Sequence, residues 1–480
     1  MMDTINKLML PEILIASLAS LIVLWDVFIS HKVRITSYWL TQMGLLLVIA
    51  SICNNFKYLA QNIYLFNNSL ILNYQINFFK LIIVGFMLMI LFYAKDYIKS
   101  KNYFCGEYFV LSLLSAFGMM ILIGGSHFLN FYLGLEMFSL PIYGLMTLES
   151  KEANLEATVK YFVISAVFSG VLLYGLSLIY GATGTLNFQE INNFINTQHL
   201  TVLFNVGVLL VFVAILFKLN LVPFHIWAPD VYQGGPTSVV MLIATLPKII
   251  TVMIFGRIIN EVFPELINKY WQYLLIFIAI LSLIIGNVGA IFQINIKRLL
   301  AYSAIAHAGF ILLGFIANTQ TGRAAANFYV VSYALMSMGV FGFIIVFSKN
   351  GFELEHIKNL SGMAKTHPWL SGILLILLLS LSGVPPTLGF YAKFLIIKSL
   401  IHANLISLAV TALIFSVIGL FYYLRIIKAI FFMDINNVNN NLDLKLKNSW
   451  FIVLVLSGNG ILALGLGIFP VFINNILKYF

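Results

Sequence analysis

Long apolar stretches run along the chain, separated by short polar loops. A helix that crosses a bilayer needs about 20 mostly apolar residues, and about fourteen stretches approach or exceed that length. The first seven are Met9 to Ile29, Trp39 to Cys53, Phe78 to Ala94, Tyr108 to Gly124, Ser126 to Leu148, Thr158 to Tyr180 and Val202 to Leu221. The second seven are Ser238 to Ile258, Tyr270 to Ile291, Leu299 to Ala317, Ala325 to Phe347, Leu370 to Ile397, Ala403 to Met433 and Trp450 to Ile473. The runs are continuous and do not alternate as barrel strands of about ten residues do. The pattern therefore predicts an all-α, polytopic membrane helix bundle.

Two runs are interrupted. The seventh passes from Lys218 through Leu-Asn-Leu-Val into Pro223, Phe224, His225 and Trp227. The twelfth carries Gly383-Val384-Pro385-Pro386 in its middle, with Gly389 just beyond. Proline removes a backbone donor and blocks the turn before it. In a bilayer such a break persists only where protein or a wet cavity satisfies the freed carbonyls. Broken helices at matching places in two halves point to inverted repeats around a transport site. The breaks lie five spans apart, so spans four to eight and nine to thirteen form two five-helix repeats, each with one broken helix. The domain reading follows: 1–107 as an N-terminal three-helix segment, 108–258 as the first repeat, 259–433 as the second and 434–480 as a C-terminal span.

Composition strengthens the membrane reading. Apolar residues make up 61% of the 480 and charged residues 9%, against about 45–50% and about 25% in soluble chains. No long polar stretch divides the apolar ones, so one bundle is expected rather than several soluble domains. The run from Met9 lacks a small-residue cleavage pattern and reads as a retained span. Cys53 and Cys105 form no spaced motif, which excludes a disulfide framework, a four-thiolate iron–sulfur site and structural zinc. The net charge of +10 reads as loop lysines and arginines that fix orientation, not as a nucleic-acid footprint.

With alternating spans, one side carries Lys32, Arg34, Lys95, Lys99, Lys101, Lys151, Lys297, Arg298, Lys349, Lys358, Lys365, Arg425, Lys428, Lys445 and Lys447. The other carries Lys7, Lys57, Lys80, Arg257, Lys269, Arg323, Lys398 and Lys478. This bias places the first group in the cytoplasm and both termini outside.

Four ionisable residues within the spans stand out, deep in a span or beside a break: Glu136, Lys218, Lys248 and Lys393. Lys248 is midway along its span, about 15 Å from either end at 1.5 Å per residue. Its stem reaches about 6 Å, too short to snorkel. Each central charge costs about 2.5–3.5 kcal/mol on insertion scales, which leucine would avoid. Buried ion pairs that hold helices together are the alternative; proton carriage is the functional reading. Burial lowers a lysine pKa and a nearby carboxylate raises it, so a lysine between the two changes protonation when its partner moves. Glu136 and Lys218 have opposite charge and suit such a pair. Three lysines against one glutamate imply that some lysines are neutral part of the time.

Secondary candidates are Lys160, otherwise a cytoplasmic anchor, and His225 and His307, whose unperturbed pKa suits proton relay, although a lone histidine in a bundle is more often a satisfied core residue. Glu12 and Asp26, near the ends of the first span, are expected to touch water. Asp230 reads as a loop or cap residue, and Gln233-Gly234-Gly235-Pro236-Thr237 as a turn and helix start rather than a nucleotide site. No phosphate loop, nucleophile elbow or metal-ligand pair is present. The only loop acid cluster, Glu149, Glu152 and Glu156, is too little for a membrane enzyme acting on lipids through metals.

At these residues the chain resembles a known family. KLNLVPFHIWAPDVYQGGPTSVV from Lys218 to Val240 is similar to the antiporter-like membrane subunits of respiratory complex I. LPEI at Leu10 to Ile13, GLEMFSLPIYGL from Gly134, NIKRLLAYSAIAHAGF from Asn295 and GVPPTLGFYAKF from Gly383 match it too. Of three related subunits, one is longer, with a lateral helix for which this chain has no room after Phe480. Another has a glutamate where this chain has Lys393. The remaining, shorter subunit is the best match.

The resemblance implies a proton channel of two half-channels. Glu136 and Lys218 would be the coupled pair of the first, Lys248 the central connecting lysine and Lys393 the residue of the second. Lys160 matches a further family lysine in LEATVKYF. It also implies that this chain binds no cofactor. Flavin, iron–sulfur clusters and quinone would belong to partner subunits, and the other membrane-arm subunits and lipid would be its neighbours. The setting would be a bacterial inner (cytoplasmic) or mitochondrial inner membrane. The second half departs from symmetry, having no intramembrane glutamate to match Glu136. A subunit of a multisubunit cation/proton antiporter and a stand-alone solute carrier are the competing readings. Redox cofactors in the purified assembly would favour the first.

Overall fold

A computed structural model of the chain describes residues 7–28, 35–59, 61–101, 103–149, 151–197, 200–264, 270–348, 353–434 and 450–469. It is built almost wholly of helices. The N-terminal part contains α1 (Leu10–Phe28), α2 (Ile35–Asn55), α3 (Tyr74–Ser100), α4 (Gly106–Gly124), α5 (Phe128–Thr147), α6 (Glu152–Thr183), α7 (Phe188–Thr197) and α8 (Val202–Lys218). There follow α9 (Trp227–Gly234), α10 (Thr237–Arg257), α11 (Tyr270–Phe292), α12 (Ile296–Ile316) and α13 (Gln320–Phe347). The last are α14 (Pro368–Ser382), α15 (Leu388–His402), α16 (Ile406–Phe432) and α17 (Trp450–Ile468). A small antiparallel hairpin of β1 (Ile63–Leu65) and β2 (Leu70–Leu72) precedes α3.

Among the described residues, eleven helices are long and apolar enough to cross a membrane: α1, α2 with its 3₁₀ extension, α3, α4, α6, α10, α11, α12, α13, α16 and α17. The other three predicted spans take different forms. The fifth is α5, 20 residues long, with Asn130, Glu136 and Pro141 in it. The seventh ends early at Lys218, and the twelfth is two helices, α14 and α15. The segments holding His31, Lys32, Arg34, Lys269, Lys349, Lys445, Lys447 and Lys478, and the end of the last predicted span, lie outside the described residues.

Local chemistry sets the helix ends. The side chains of Asn73, Asn295 and Thr319 accept from Ile76, Arg298 and Gly322 backbone N–H groups at 2.8, 3.1 and 3.0 Å, which supplies N-caps to α3, α12 and α13. The interruptions share one geometry. At the first, Asn220 adopts a φ of 63°, and Asn220 N and Leu221 N donate to the carbonyls of Phe217 and Leu216. At the second, Gly383 adopts a φ of 86°, and Gly383 N and Val384 N donate to Ser380 and Leu379. Each is a left-handed C-terminal cap that consumes the last carbonyls of the helix. Pro223 follows the first cap and Pro385 and Pro386 the second, so neither helix continues.

The chain divides into two compact units. One holds the described parts of Met1–Ile215 and Met253–Pro264; the other holds Leu216–Val252 and the described parts of Glu265–Lys478. In the first, Gly118 of α4 lies so close to α5 that a Cβ would stand 2.5 Å from Phe138 N, and Gly175 and Gly207 face each other in α6 and α8. Small residues let helix backbones approach in this way. In the second, α12 and α13 are almost entirely enclosed. Residues such as Val159, Val167, Tyr174, Val417 and Phe421 present apolar sides outward, as lipid contact requires.

Candidate functional site

The second unit collects Lys218, Lys248, Lys393, His225 and His307. Lys248 on α10 is 4% exposed. Its Nζ lies 3.4 Å from Tyr333 Oη on α13, 4.8 Å from the centre of that ring and 5.8 Å from that of Tyr232. His307 on α12 is buried beside Tyr333, ring centres 5.0 Å apart. Its Nδ1 is 2.8 Å from Tyr329 Oη and its Nε2 3.2 Å from Tyr423 Oη on α16. Tyr423 also hydrogen-bonds Ser303. Lys393 on α15 reaches back to the break: its Nζ donates to the Ser382 carbonyl at 2.7 Å and Ser416 Oγ at 3.2 Å. It sits 5.1 Å over the Phe310 ring, which stacks on Tyr329. Both lysines lie within electrostatic reach of His307.

Every one of these contacts to Lys248 and Lys393 is neutral. Phenols, a hydroxyl, a carbonyl and ring faces stabilise a cation without fixing it as one. The alternative for these two, an ion pair that locks helices, finds no carboxylate among their contacts in the described residues. The arrangement brings two amines, an imidazole and several phenols into one buried cluster, with hydrogen bonds between Lys248 and Tyr333 and between His307 and Tyr329 and Tyr423.

Lys218 is 7% exposed, in the last turn of α8 before the first break. His225 lies beyond that break, half-buried, with no hydrogen-bond partner for its buried Nδ1 among the described residues. Glu136 and Lys160 belong to the first unit. Glu136 is half-buried on α5 and accepts a hydrogen bond from Ser169 of α6. Lys160 is exposed on α6 and pairs with Glu156 one turn away at 2.7 Å.

Glu12, Lys80 and Lys297, read from sequence as solvated, are buried. Glu12 is 4% exposed and Lys80 2%, and they form a direct ion pair between α1 and α3. The signal was present: Lys80 lies inside the third predicted span. Lys297 is buried against Glu353 at 3.0 Å and the Gly235 carbonyl at 3.1 Å. Asp230 is helical and pairs with Arg298 at 2.7 Å. Asp26 packs against Gly106 and accepts from Ser37. The tyrosines around His307 carry no formal charge, so the count of charged residues within spans passed over them.

The chain is similar to known proteins. Residues 125–419 match the family described as NADH:quinone oxidoreductase/Mrp antiporter, TM. A relative from Ruthia magnifica subsp. Calyptogena magnifica, named NADH-quinone oxidoreductase subunit N, is 41% identical over 468 residues, covering 96% of this chain and 95% of its own. One from Coxiella burnetii with the same name is 39% identical, with the same coverage. Among solved structures, a chain of respiratory complex I from Thermus thermophilus with bound aureothin superposes with a TM-score of 0.81 at 28% identity, covering 98% of both chains. A chain of an Mrp complex from Dietzia reaches 0.86 at 19% identity, covering 100% of this chain and 96% of its own, a likeness of fold alone.

Proposed function

This chain belongs to the membrane family shared by NADH:quinone oxidoreductase and Mrp antiporters, and on that premise we propose that it is a proton-translocating membrane-arm subunit of an NADH–quinone oxidoreductase. The observation that carries the reading is the buried cluster of Lys248, Tyr333, His307, Tyr423, Tyr329 and Lys393, whose lysines meet only neutral partners among the described residues. Relatives named subunit N match it almost end to end, whereas the Mrp likeness is one of fold. The NADH–quinone reading is therefore preferred over cation/proton antiport.

Protons move outward while the redox reaction occurs in other subunits of the complex. Those subunits hold the flavin, the iron–sulfur clusters and the quinone; this chain supplies proton sites alone. Glu136 and Lys218 act as the coupled pair of the first half-channel, Lys248 joins the halves and Lys393 serves the second. Lys160, His225 and His307 have supporting roles. When a carboxylate withdraws from a buried ammonium, the ammonium gives up its proton more readily. Each charge moved against the membrane potential needs about 2.3 kcal/mol per 100 mV, which the redox reaction provides through conformational coupling. Two repeats, spans four to eight and nine to thirteen, give the half-channels, and both termini face outward.

Lys218→Ala and Glu136→Ala in the assembled complex are expected to lower NADH–quinone turnover and proton pumping together. Flavin and iron–sulfur absorbance of the purified assembly confirms that the partners are present. Full pumping by both variants discards the assignment.

A further inference from the structure

We infer that Gly383 is the positioning residue for Lys393: the side chain missing at the second break is the slot through which the lysine stem runs, and that slot sets the Lys393 ammonium on the end of α14. The inference deepens the proton reading above and rests on it.

The two breaks fill their left-handed position differently. Asn220 holds it at the first, with a φ of 63°, and Gly383 at the second, with a φ of 86°. Backbone conformation alone does not demand glycine. Asparagine visits the left-handed region readily, and Asn318 and Asn404 adopt it just beyond α12 and α15, with φ of 47° and 59°. What sets Gly383 apart is the space beside it. A Cβ built there would stand 2.8 Å from Cδ of Lys393 and 3.2 Å from both its Cε and its Nζ. No side chain can share that volume with the lysine.

The placing of each lysine accounts for the difference. Lys218 precedes its left-handed residue, in the last turn of α8. Lys393 stands on α15, beyond its own, and its stem folds back across Gly383 to reach α14. There its Nζ donates to the Ser382 carbonyl at 2.7 Å. That carbonyl is among the last four of α14, which have no partner within the helix. The C-terminal end of a helix carries partial negative charge. It thus gives the ammonium the counter-charge that no carboxylate supplies among its contacts in the described residues. Ser416 Oγ of α16 at 3.2 Å and the Phe310 ring face at 5.1 Å complete the seat.

The three atoms nearest a Cβ at position 383 all belong to the flexible side chain of Lys393, and none to backbone. On adding a side chain there, the lysine yields first. Its ammonium leaves Ser382 and Ser416 while the turn between α14 and α15 keeps its place.

Gly383→Asn tests the slot, because asparagine accepts the left-handed turn but fills the space. Gly184→Asn is the control: Gly184 follows α6 with a φ of 72° and open space around it. NADH-driven proton uptake by vesicles containing the complex is expected to fall at least about tenfold with Gly383→Asn, a modest loss for a displaced proton-transfer group. It should stay near the wild-type rate with Gly184→Asn. Thermal unfolding in two backgrounds separates positioning from a merely structural need for glycine. Any drop in unfolding temperature caused by Gly383→Asn should shrink by at least half once Lys393→Ala has emptied the slot. A turn that simply requires glycine predicts the same drop in both. Lost uptake with unchanged unfolding also supports the slot. If Gly383→Asn alone fails to assemble, assembly of the double variant supports the slot and its failure overturns it. Undiminished uptake by Gly383→Asn, or an equal loss with Gly184→Asn, overturns the inference. Lys393→Ala alone separates the two failures. If it pumps fully, the proton role of Lys393 is wrong; if it is impaired while Gly383→Asn pumps, only the seat falls.

Discussion

In the first unit, Lys80 is buried with its ammonium directly on the Glu12 carboxylate. In the second, Lys248 and Lys393 are buried among phenols, ring faces, a hydroxyl and a carbonyl. Both arrangements take lysines out of water, yet their chemistry differs. A contact ion pair in a low-dielectric interior stabilises both charges at once and holds its proton still. A lysine with neutral partners is stable as amine or ammonium by a smaller margin, so its proton can leave. On the proposed function, burial alone does not mark a transport site: a fixed contact ion pair such as Glu12 with Lys80 stands apart from lysines whose partners are neutral or able to withdraw.

The sharpest way to break this comparison is to remove one half of the ion pair. Lys80→Met leaves Glu12 buried beside a thioether and is expected to destabilise the N-terminal helices by about 3–5 kcal/mol. Assembly of the complex, read on native gels, should fall accordingly. The double change Glu12→Leu with Lys80→Met should restore assembly and pumping, because an apolar pair of similar volume is often neutral or better. If the double variant assembles but does not pump, Glu12 and Lys80 belong with the proton sites and the contrast dissolves.

A smaller effect is expected at Arg257, which donates to the carbonyls of Ile123 and Gly125, and at Arg425, which donates to those of Ile291 and Gln293. Lysine is a point charge and cannot present the planar fork that serves two carbonyls. Arg257→Lys and Arg425→Lys should each cost about 1–3 kcal/mol, the range for a buried polar group left unmet. Arg257 is buried and also pairs with Glu261 at 2.8 Å, so its loss should be the larger of the two, as measured by thermal unfolding of the purified complex. A larger loss at Arg425 would contradict this.

Much of this was legible in the sequence. The apolar runs located the spanning helices because hydrocarbon imposes length and continuity. Pro223 and Gly383-Val384-Pro385-Pro386 located the breaks because their backbone restrictions are local. Lys248 was identifiable from its distance to the span ends. Less was legible where the answer depended on partners. Glu12, near a predicted end, read as wet, but α3 covers it with Lys80. Arg257 and Lys297 read as loop charges, but their side chains fold inward onto carbonyls and onto Glu261 and Glu353 respectively.

The most direct test of the central claim is NADH-driven proton uptake by vesicles containing the complex with Lys248→Met, compared at equal flavin content. Methionine preserves the bulk of the stem and removes the site where a proton can rest. Proton uptake should fall by at least about tenfold, a modest figure against the usual range for proton-transfer groups, while the complex remains assembled. Uptake at the wild-type rate would contradict the account.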